Sequence, residues 1–346
     1  MIKAGIIGAT GYAGATLVYL LTKHQKTQLV YLSSHSYAGK SFSSIYPGMS
    51  SLHLILEEED IHKAASLCDV VFLALPAGLA KNLITEEILK QTVIIDLGAD
   101  YRLKNPQVYE QWYHKEAPQP AILAQAVYSL ADLDTTRCTT TNLIANPGCY
   151  TTCSILTLAP LVKSGLIDSS SIVINAMSGV SGAGRKESTA NLFCEVNAGS
   201  KAYGVTTHRH TPEIEAALSE IGKTNVMVQF TPHLVPMNRG ILATCTARLK
   251  PEVTQDDVDQ AYARLYNEAP FVNVLAKGLL PETRFTLGTN RIDIAYRIDE
   301  RTRNIVAIGA IDNLVKGAAG QAVQNMNLRF SLDQTTGLDI DASNPL

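Results

Sequence analysis

No stretch of this 346-residue chain stays apolar for the roughly 18–20 residues that a membrane-spanning helix requires, so no membrane partner is expected. Cys-x-x-Cys pairs are also missing. The six cysteines, Cys68, Cys138, Cys149, Cys153, Cys194 and Cys245, are too scattered for a disulfide framework or a structural zinc site. Cys149 and Cys153 have a spacing that a metal could use, but no further ligands stand nearby, and no metal is expected. Neither sign of charge dominates. With 29 Lys and Arg against 32 Asp and Glu, the net charge of −3 gives no electrostatic reason to expect nucleic acid or an anionic surface as partner. Repeats and low-complexity tracts are absent. The opening run Met1–Gly8 reaches glycine too soon for a secretory signal, which points to a cytoplasmic, reducing setting.

What is present is the composition of a globular protein, 46% hydrophobic and 18% charged, at a length that exceeds one ordinary core. Two domains are therefore expected. Up to about residue 150, short apolar strands (3–7, 28–32, 70–75, 93–97, 141–145) alternate with helical stretches at 14–24 and 78–90, the pattern of a doubly wound parallel sheet. Beyond it the pattern changes. A helix runs through Leu161, and strands are predicted at 171–176, 226–230, 241–249, 291–298 and 304–311. Helices are predicted from Pro212 and over 254–267. Strands with few intervening helices suggest an α+β domain on a partly antiparallel sheet. A last helix near 316–330, with small residues on one face, is expected to pack back on the first domain.

One further absence bears on ligand choice. The segment Gly8-x-x-Gly11-x-x-Gly14 follows the first strand and opens a helix, a variant of the dinucleotide fingerprint. Glycines let the backbone turn sharply and approach a pyrophosphate, whose charge meets the helix N-terminus. Gly8, Thr10, Gly11, Tyr12, Ala13 and Gly14 are thus candidate cofactor contacts. An NAD site places an acid at the end of the second strand. Here that strand ends Leu32-Ser33-Ser34, and no acidic residue precedes Glu57. Ser33 and Ser34, with Lys40 nearby, suit the 2′-phosphate of NADP(H) instead.

The most informative stretch is Asn146-Pro147-Gly148-Cys149-Tyr150. A Pro-Gly turn followed by helical residues puts Cys149 in a first helical turn, where free N–H groups and the helix dipole favour the reactive thiolate. Cys153, one turn later in an apolar setting, reads as structural. A cysteine nucleophile needs an acid/base partner, and His208-Arg209-His210-Thr211-Pro212 supplies two candidates. Thr211 reads as the N-cap and Pro212 as the first helical residue, so both imidazoles lie where a helix N-terminus disfavours the charged form.

These segments resemble the N-acetyl-γ-glutamyl-phosphate reductase family over essentially the whole chain. The resemblance is carried by Gly8–Gly14, Asp96–Leu103, Asn146–Tyr150, Ser178–Arg185, His208–Ile214 and Asp312–Ala322. It implies a Rossmann-type α/β domain (1–148), an α+β substrate and dimerisation domain of the glyceraldehyde-phosphate dehydrogenase-like type (149–313), and a C-terminal helix (314–346) returning to the first. It further implies a homo-oligomer, dimer or tetramer, that reduces a small-molecule acyl phosphate with NADPH through a thioester on Cys149. His210 is the first choice as acid/base and His208 the second. Arg102 is implied in phosphate binding, and Ser181 and Arg185 in substrate contact. Leu75, Pro76, Ser178, Gly179, Gly182 and Asn313 are implied to line the cofactor. Gly98 departs from the family, where serine is frequent. Competing readings are a reductase of a homologous or carrier-linked acyl phosphate, a non-enzymatic NADP-sensing Rossmann module, and a cysteine hydrolase.

Overall fold

The computed structural model describes residues 1–342 of the chain, which divides into two compact units: Met1–Gly148 with Ala318–Asp339, and Cys149–Gly317. The first unit opens with β1 (Ile2–Ile7), α1 (Tyr12–Lys23), β2 (Thr27–Ser33), α2 (Phe42–Ile45) and α3 (Ile61–Leu67). It continues with β3 (Val70–Leu73), α4 (Glu86–Gln91), β4 (Val93–Asp96), α5 (Pro106–Tyr113), α6 (Pro120–Gln125), β5 (Val127–Tyr128) and β6 (Leu143–Ala145). Its six strands form one parallel sheet in the order β2-β1-β3-β4-β6-β5. β3 and β4 are buried at every residue, as strands covered on both faces must be. From β1 the chain passes outward to β2 on one side and then to β3 on the other. The loop after β1 therefore lies at the switch point where open α/β sheets bind ligands.

The helix expected over 78–90 is interrupted. Gly78 adopts a left-handed φ of +88°, and the carboxylate of Asp100 accepts hydrogen bonds from the amides of Gly78 and Lys81. The regular helix restarts only at α4, where the Thr85 side chain accepts from the Ile88 amide. A tertiary contact and a local cap thus outweigh the periodic pattern.

The second unit begins with α7 (Cys149–Lys163), followed by β7 (Ile172–Ser178), α8 (Phe193–Val196), β8 (Lys201–Ala202), α9 (Thr211–Gly222), β9 (Val228–Leu234) and β10 (Ile241–Arg248). Then come α10 (Gln255–Tyr266), β11 (Val272–Val274), α11 (Thr283–Thr286), β12 (Ile292–Asp299) and β13 (Asn304–Ile311). The seven strands form a mixed sheet, β11-β12-β13-β10-β7-β9-β8, antiparallel through its centre. β7 runs two residues past the predicted strand end, and β9 begins two residues later than predicted and passes through Pro232. The proline is tolerated because β8 pairs only with His233 and Leu234, leaving β9 without another strand on that side among the described residues.

α7 is buried from Tyr150 to Val162 without a break, so it is enclosed on every face rather than amphipathic, its Thr151, Thr152, Ser154 and Thr157 included. Pro160 lies inside it and has no N–H to give the carbonyl of Leu156, four residues back. The Tyr266 hydroxyl donates to that carbonyl, and Tyr262 donates to the next, Thr157 O, at 2.7 Å. Beyond β13, a π-helical turn (Val315–Ala319) leads into α12 (Gly320–Arg329), which is counted with the first unit. There Asn325 donates to Ser129 O and Asn146 Oδ1, and Asn327 pairs with His24. These bonds satisfy amides that burial would otherwise penalise.

Candidate active site

In the first unit, Gly8 turns the chain at φ +84°, and a Cβ there would stand 2.5 Å from Ala74 O. A Cβ on Gly14 would run into Gly8 O, whereas Gly11 has space around it. The loop is thus closed on its inner side and open at Gly11, the N-cap of α1, whose first turn carries no acidic side chain and no side-chain cap. An open helix start whose amides no side chain caps is what a pyrophosphate requires, so the residues present fit a dinucleotide. The structure brings Leu75 against Gly8, leaves Pro76 and Tyr12 exposed, and half-buries Ala13. Thr10 Oγ1 and Ser34 Oγ hydrogen-bond at 2.7 Å, and Tyr46 donates to Thr10 O.

At the β2 end, space modifies the reading of sequence. Ser33 is enclosed and offers no surface to a ligand, and Ser34 is 2% exposed. The exposed polar groups beyond them are His35, Ser36 and Lys40. An acid does come alongside, since Glu57 forms a bridge to Ser33, but its carboxylate is paired with Lys63.

The loop after β4 holds a buried acidic pair. Asp100 accepts from the Tyr109 hydroxyl as well as the two amides above. Asp96 accepts from the Gly98 amide at 2.8 Å, and burial, reinforced by the Asp100 carboxylate, pushes its pKa up to about 7. A Cβ at Gly98 would lie 2.9 Å from Asp96 Oδ1 and 3.3 Å from Leu75 O. This crowding suits glycine at position 98. Arg102 donates through Nε to Asn146 O at 2.9 Å and through Nη2 to Leu97 O at 2.7 Å, which braces the loop against the segment leading to Cys149.

In the second unit Cys149 is the first residue of α7 and is partly exposed. Cys68, Cys138, Cys153 and Cys245 are buried, and burial raises all four thiol pKa values, that of Cys68 to about 12. Cys153 donates to Gly309 O and is structural. Cys194 is exposed on the short α8. Of the six cysteines, only Cys149 combines access with a helix start on a buried scaffold.

The neighbours of Cys149 link it to both histidines. The Tyr150 ring stands edge-on to His208 and His210, with centroids 5.7 and 6.0 Å away, and to Phe230 at 5.4 Å. Its hydroxyl donates to His233 O and accepts from Tyr203. Thr151 donates to Glu213, which is buried in the first turn of α9. His208 packs among Tyr150, Tyr203 and Phe230, and its Nδ1 accepts from the His210 amide. Burial first, then the charges of His210 and Arg209, depress its pKa to about 3. The helix begins one residue before the predicted position, so His210 rather than Thr211 occupies the cap. Thr211 is buried, and its hydroxyl accepts from no backbone amide that would make it a cap.

The Ser/Gly-rich segment is pinned at one end and open at the other. Asn313 accepts from the Gly240 amide at 2.7 Å and donates to Ser181 Oγ at 3.0 Å. The Gly179, Val180 and Ser181 amides donate to carbonyls of Gly240, Met237 and Asn238. Ser178 is buried, and Gly182 and Arg185 are exposed. Sequence reasoning assigns no role to Tyr150, Tyr203, Glu213 or Phe230. Glu213 stands three residues after His210 but looks like an ordinary first-turn acid. Among the described residues, no group of three or more His, Cys, Asp or Glu is arranged to hold a metal, and no helix is long and apolar enough to cross a membrane.

Comparison with known proteins bears on both units. A family profile described as "Semialdehyde dehydrogenase, NAD binding domain" matches residues 3–140, and one described as "Semialdehyde dehydrogenase, dimerisation domain" matches 149–313. An N-acetyl-gamma-glutamyl-phosphate reductase of Lachnospira eligens is 52% identical over 98% of this chain and 99% of its own. One from Campylobacter jejuni subsp. doylei is 48% identical over 99% of both. Among solved structures, aspartate semialdehyde dehydrogenase II of Vibrio cholerae, complexed with ASA, superposes with a TM-score of 0.71 at 16% identity, covering 96% of this chain and 98% of that one. The Candida albicans aspartate semialdehyde dehydrogenase with NADP gives 0.66 at 18%, covering 95% and 98%. At such identities the likeness speaks to fold.

Proposed function

The chain belongs to the N-acetyl-gamma-glutamyl-phosphate reductase family, an oxidoreductase family built on a nicotinamide-dinucleotide domain, and from that premise we propose how its own residues carry the reaction. The substrate is N-acetyl-L-glutamyl 5-phosphate and the products are N-acetyl-L-glutamate 5-semialdehyde and phosphate, a step of arginine biosynthesis. The carrying observation is the setting of Cys149: it alone among the cysteines is both partly exposed and first in a buried helix, beside a tyrosine that touches two histidines.

Cys149 Sγ attacks the acyl carbon and expels phosphate, leaving a thioester. Bound NADPH supplies a hydride. His210 delivers a proton to the carbonyl oxygen as that carbon is reduced, and takes it back as the C–S bond breaks and the aldehyde leaves. His208, held neutral by burial, orients its neighbour by accepting the His210 amide. Gly8 to Gly14 hold the pyrophosphate. Exposed Lys40, Ser36 and His35 favour NADP over NAD by meeting the 2′-phosphate, while Lys63 neutralises Glu57. Arg102 is the candidate for the substrate phosphate and Arg185 for the carboxylate, since a guanidinium fork suits either group.

The second unit pairs with its copy. Val173, Met177, Leu242, Val306 and Ile308 share one partly exposed sheet face with Asn175, Thr244 and Thr246, a mixed surface that a dimer would cover. A cytoplasmic setting suits four buried thiols that form no disulfide. The test is phosphate-dependent NADP reduction with N-acetylglutamate semialdehyde. Cys149→Ser should abolish turnover while NADP still binds, and retained turnover would sink the thioester. N-acetyl-aminoadipate semialdehyde, the homologue one carbon longer, should be the poorer substrate.

A further inference from the structure

We propose that the π-helical turn Val315–Ala319 is a positioning device for the nucleophile, in which Gly317 seats Cys149 and Lys316 anchors the turn. The inference rests on the assignment of Cys149 as nucleophile. A π-turn widens a helix by one residue; such turns are rare and frequently lie at functional sites. Here it is closed by the Gly317 amide donating to Asp312 O, five residues back, at 3.0 Å.

Its first residues are tied down from several sides. The fully buried Asp312 carboxylate accepts from the amides of Leu314 at 2.8 Å, Val315 at 3.1 Å and Gly288 at 2.7 Å, and pairs with Arg239 at 3.0 Å. Lys316 follows. Its side chain is fully buried, which is exceptional for lysine, and its ammonium lies 5.3 Å from the centroid of the Phe271 ring, within cation–π range. A buried cation must be compensated, so the turn is committed to this arrangement.

Gly317 then meets the nucleophile itself. A Cβ on Gly317 would stand 2.8 Å from Cys149 Cβ and 3.1 Å from its Cα, with Ile311 Cδ1 at 3.3 Å. The bare backbone of Gly317 is the wall against which Cys149 rests. One added methyl would displace the thiol-bearing carbon by about 0.6 Å to reach ordinary contact, on the scale at which misplaced groups lose catalysis.

The test compares Gly317→Ala, Lys316→Met and Lys316→Arg with Cys149→Ser in the phosphate-dependent assay, each variant first checked for folding by circular dichroism and thermal unfolding. Gly317→Ala should lower kcat by about tenfold or more, with KM values and NADP affinity within about twofold, and should slow alkylation of Cys149 by iodoacetamide. Lys316→Met should show the same split, about threefold or more in kcat, and Lys316→Arg, which keeps the cation, should recover at least half. A folded Gly317→Ala protein with kcat within about twofold of the parent would overturn the proposal. So would equal losses in the two Lys316 variants, which decide the matter if Gly317→Ala fails to fold. If Cys149→Ser stays active, the nucleophile assignment itself fails. If Cys149→Ser is dead while the other variants are unimpaired, only the positioning role fails.

Discussion

Replacing His208 by Asn separates the two histidines by a property that burial gives His208 in the folded state. Burial among Tyr150, Tyr203 and Phe230 depresses the His208 pKa from 6.5 to about 3, so at pH 7 only about one molecule in 10⁴ carries the imidazolium. A general acid in that state has almost no proton to give. The same depression makes folding pH-dependent. With its folded pKa below the unfolded value, His208 contributes stability that is present above pH 6.5 and lost as pH falls towards 3. Each pH unit in that window costs about 1.4 kcal/mol, so falling to pH 4.5 costs about 2.7 kcal/mol. We halve this to about 1.4 kcal/mol because the ring keeps some contact with solvent, which corresponds to a loss of roughly 3–5 °C in Tm. Asparagine places an acceptor where Nδ1 received the His210 amide, yet cannot titrate. His208→Asn should therefore start with a lower Tm, through lost ring packing, but should not show the extra fall between pH 6.5 and 4.5. Its kcat should stay within about tenfold of the parent, whereas His210→Asn should lose about 100-fold or more. Calorimetry across pH and steady-state kinetics read the two effects. Parallel Tm curves for variant and parent, or a larger kcat loss for His208→Asn than for His210→Asn, would refute the reasoning.

Asp96 makes the opposite pH prediction. With its pKa raised to about 7 by burial and by Asp100, it contributes stability below about pH 4 that drains away as pH rises to 7, by up to about 4 kcal/mol. Asp96→Asn should become progressively more stable relative to the parent over that window and level off above it; a constant difference would count against this. Thr151→Val removes the hydroxyl that donates to buried Glu213 at 2.8 Å, and denaturant unfolding should show a loss of about 1–3 kcal/mol. Met177→Asp places a charge on the exposed sheet face proposed to pair with its copy, and sedimentation should show a smaller assembly than the parent's. An unchanged sedimentation coefficient would put the interface elsewhere.

Features that depend on local chemistry are legible in the order of residues. The Gly8–Gly14 loop and the placement of Cys149 at a helix start follow from φ preferences and capping, which act over a few residues, and both are found where expected. The mixed sheet of the second unit is readable from strand runs lacking helices between them. Legibility ends where distant segments meet. Ser33 looks available at a strand end, but packing encloses it, and Glu57 supplies from across a loop the acid that the strand itself lacks. Tyr150, Tyr203 and Phe230 come from three separated segments, and nothing in their spacing marks them as one cage around His208. Thr211 shows the limit of even a local rule: a good capping residue next to proline is drawn into the interior, and the cap falls to the histidine before it.

The enclosure of α7 has a consequence for how the enzyme should fail. A helix buried on every side from Tyr150 to Val162, with its proline gap mended by Tyr266 and Tyr262, has no inexpensive way to fray even in the first turn that carries Cys149. Its amides should be among the slowest in the chain to exchange with deuterated solvent, opening only when the second unit opens as a whole. Since Cys149 begins that helix, heat inactivation and the calorimetric melting of the second unit should coincide, leaving no interval in which the fold persists but the chemistry is gone.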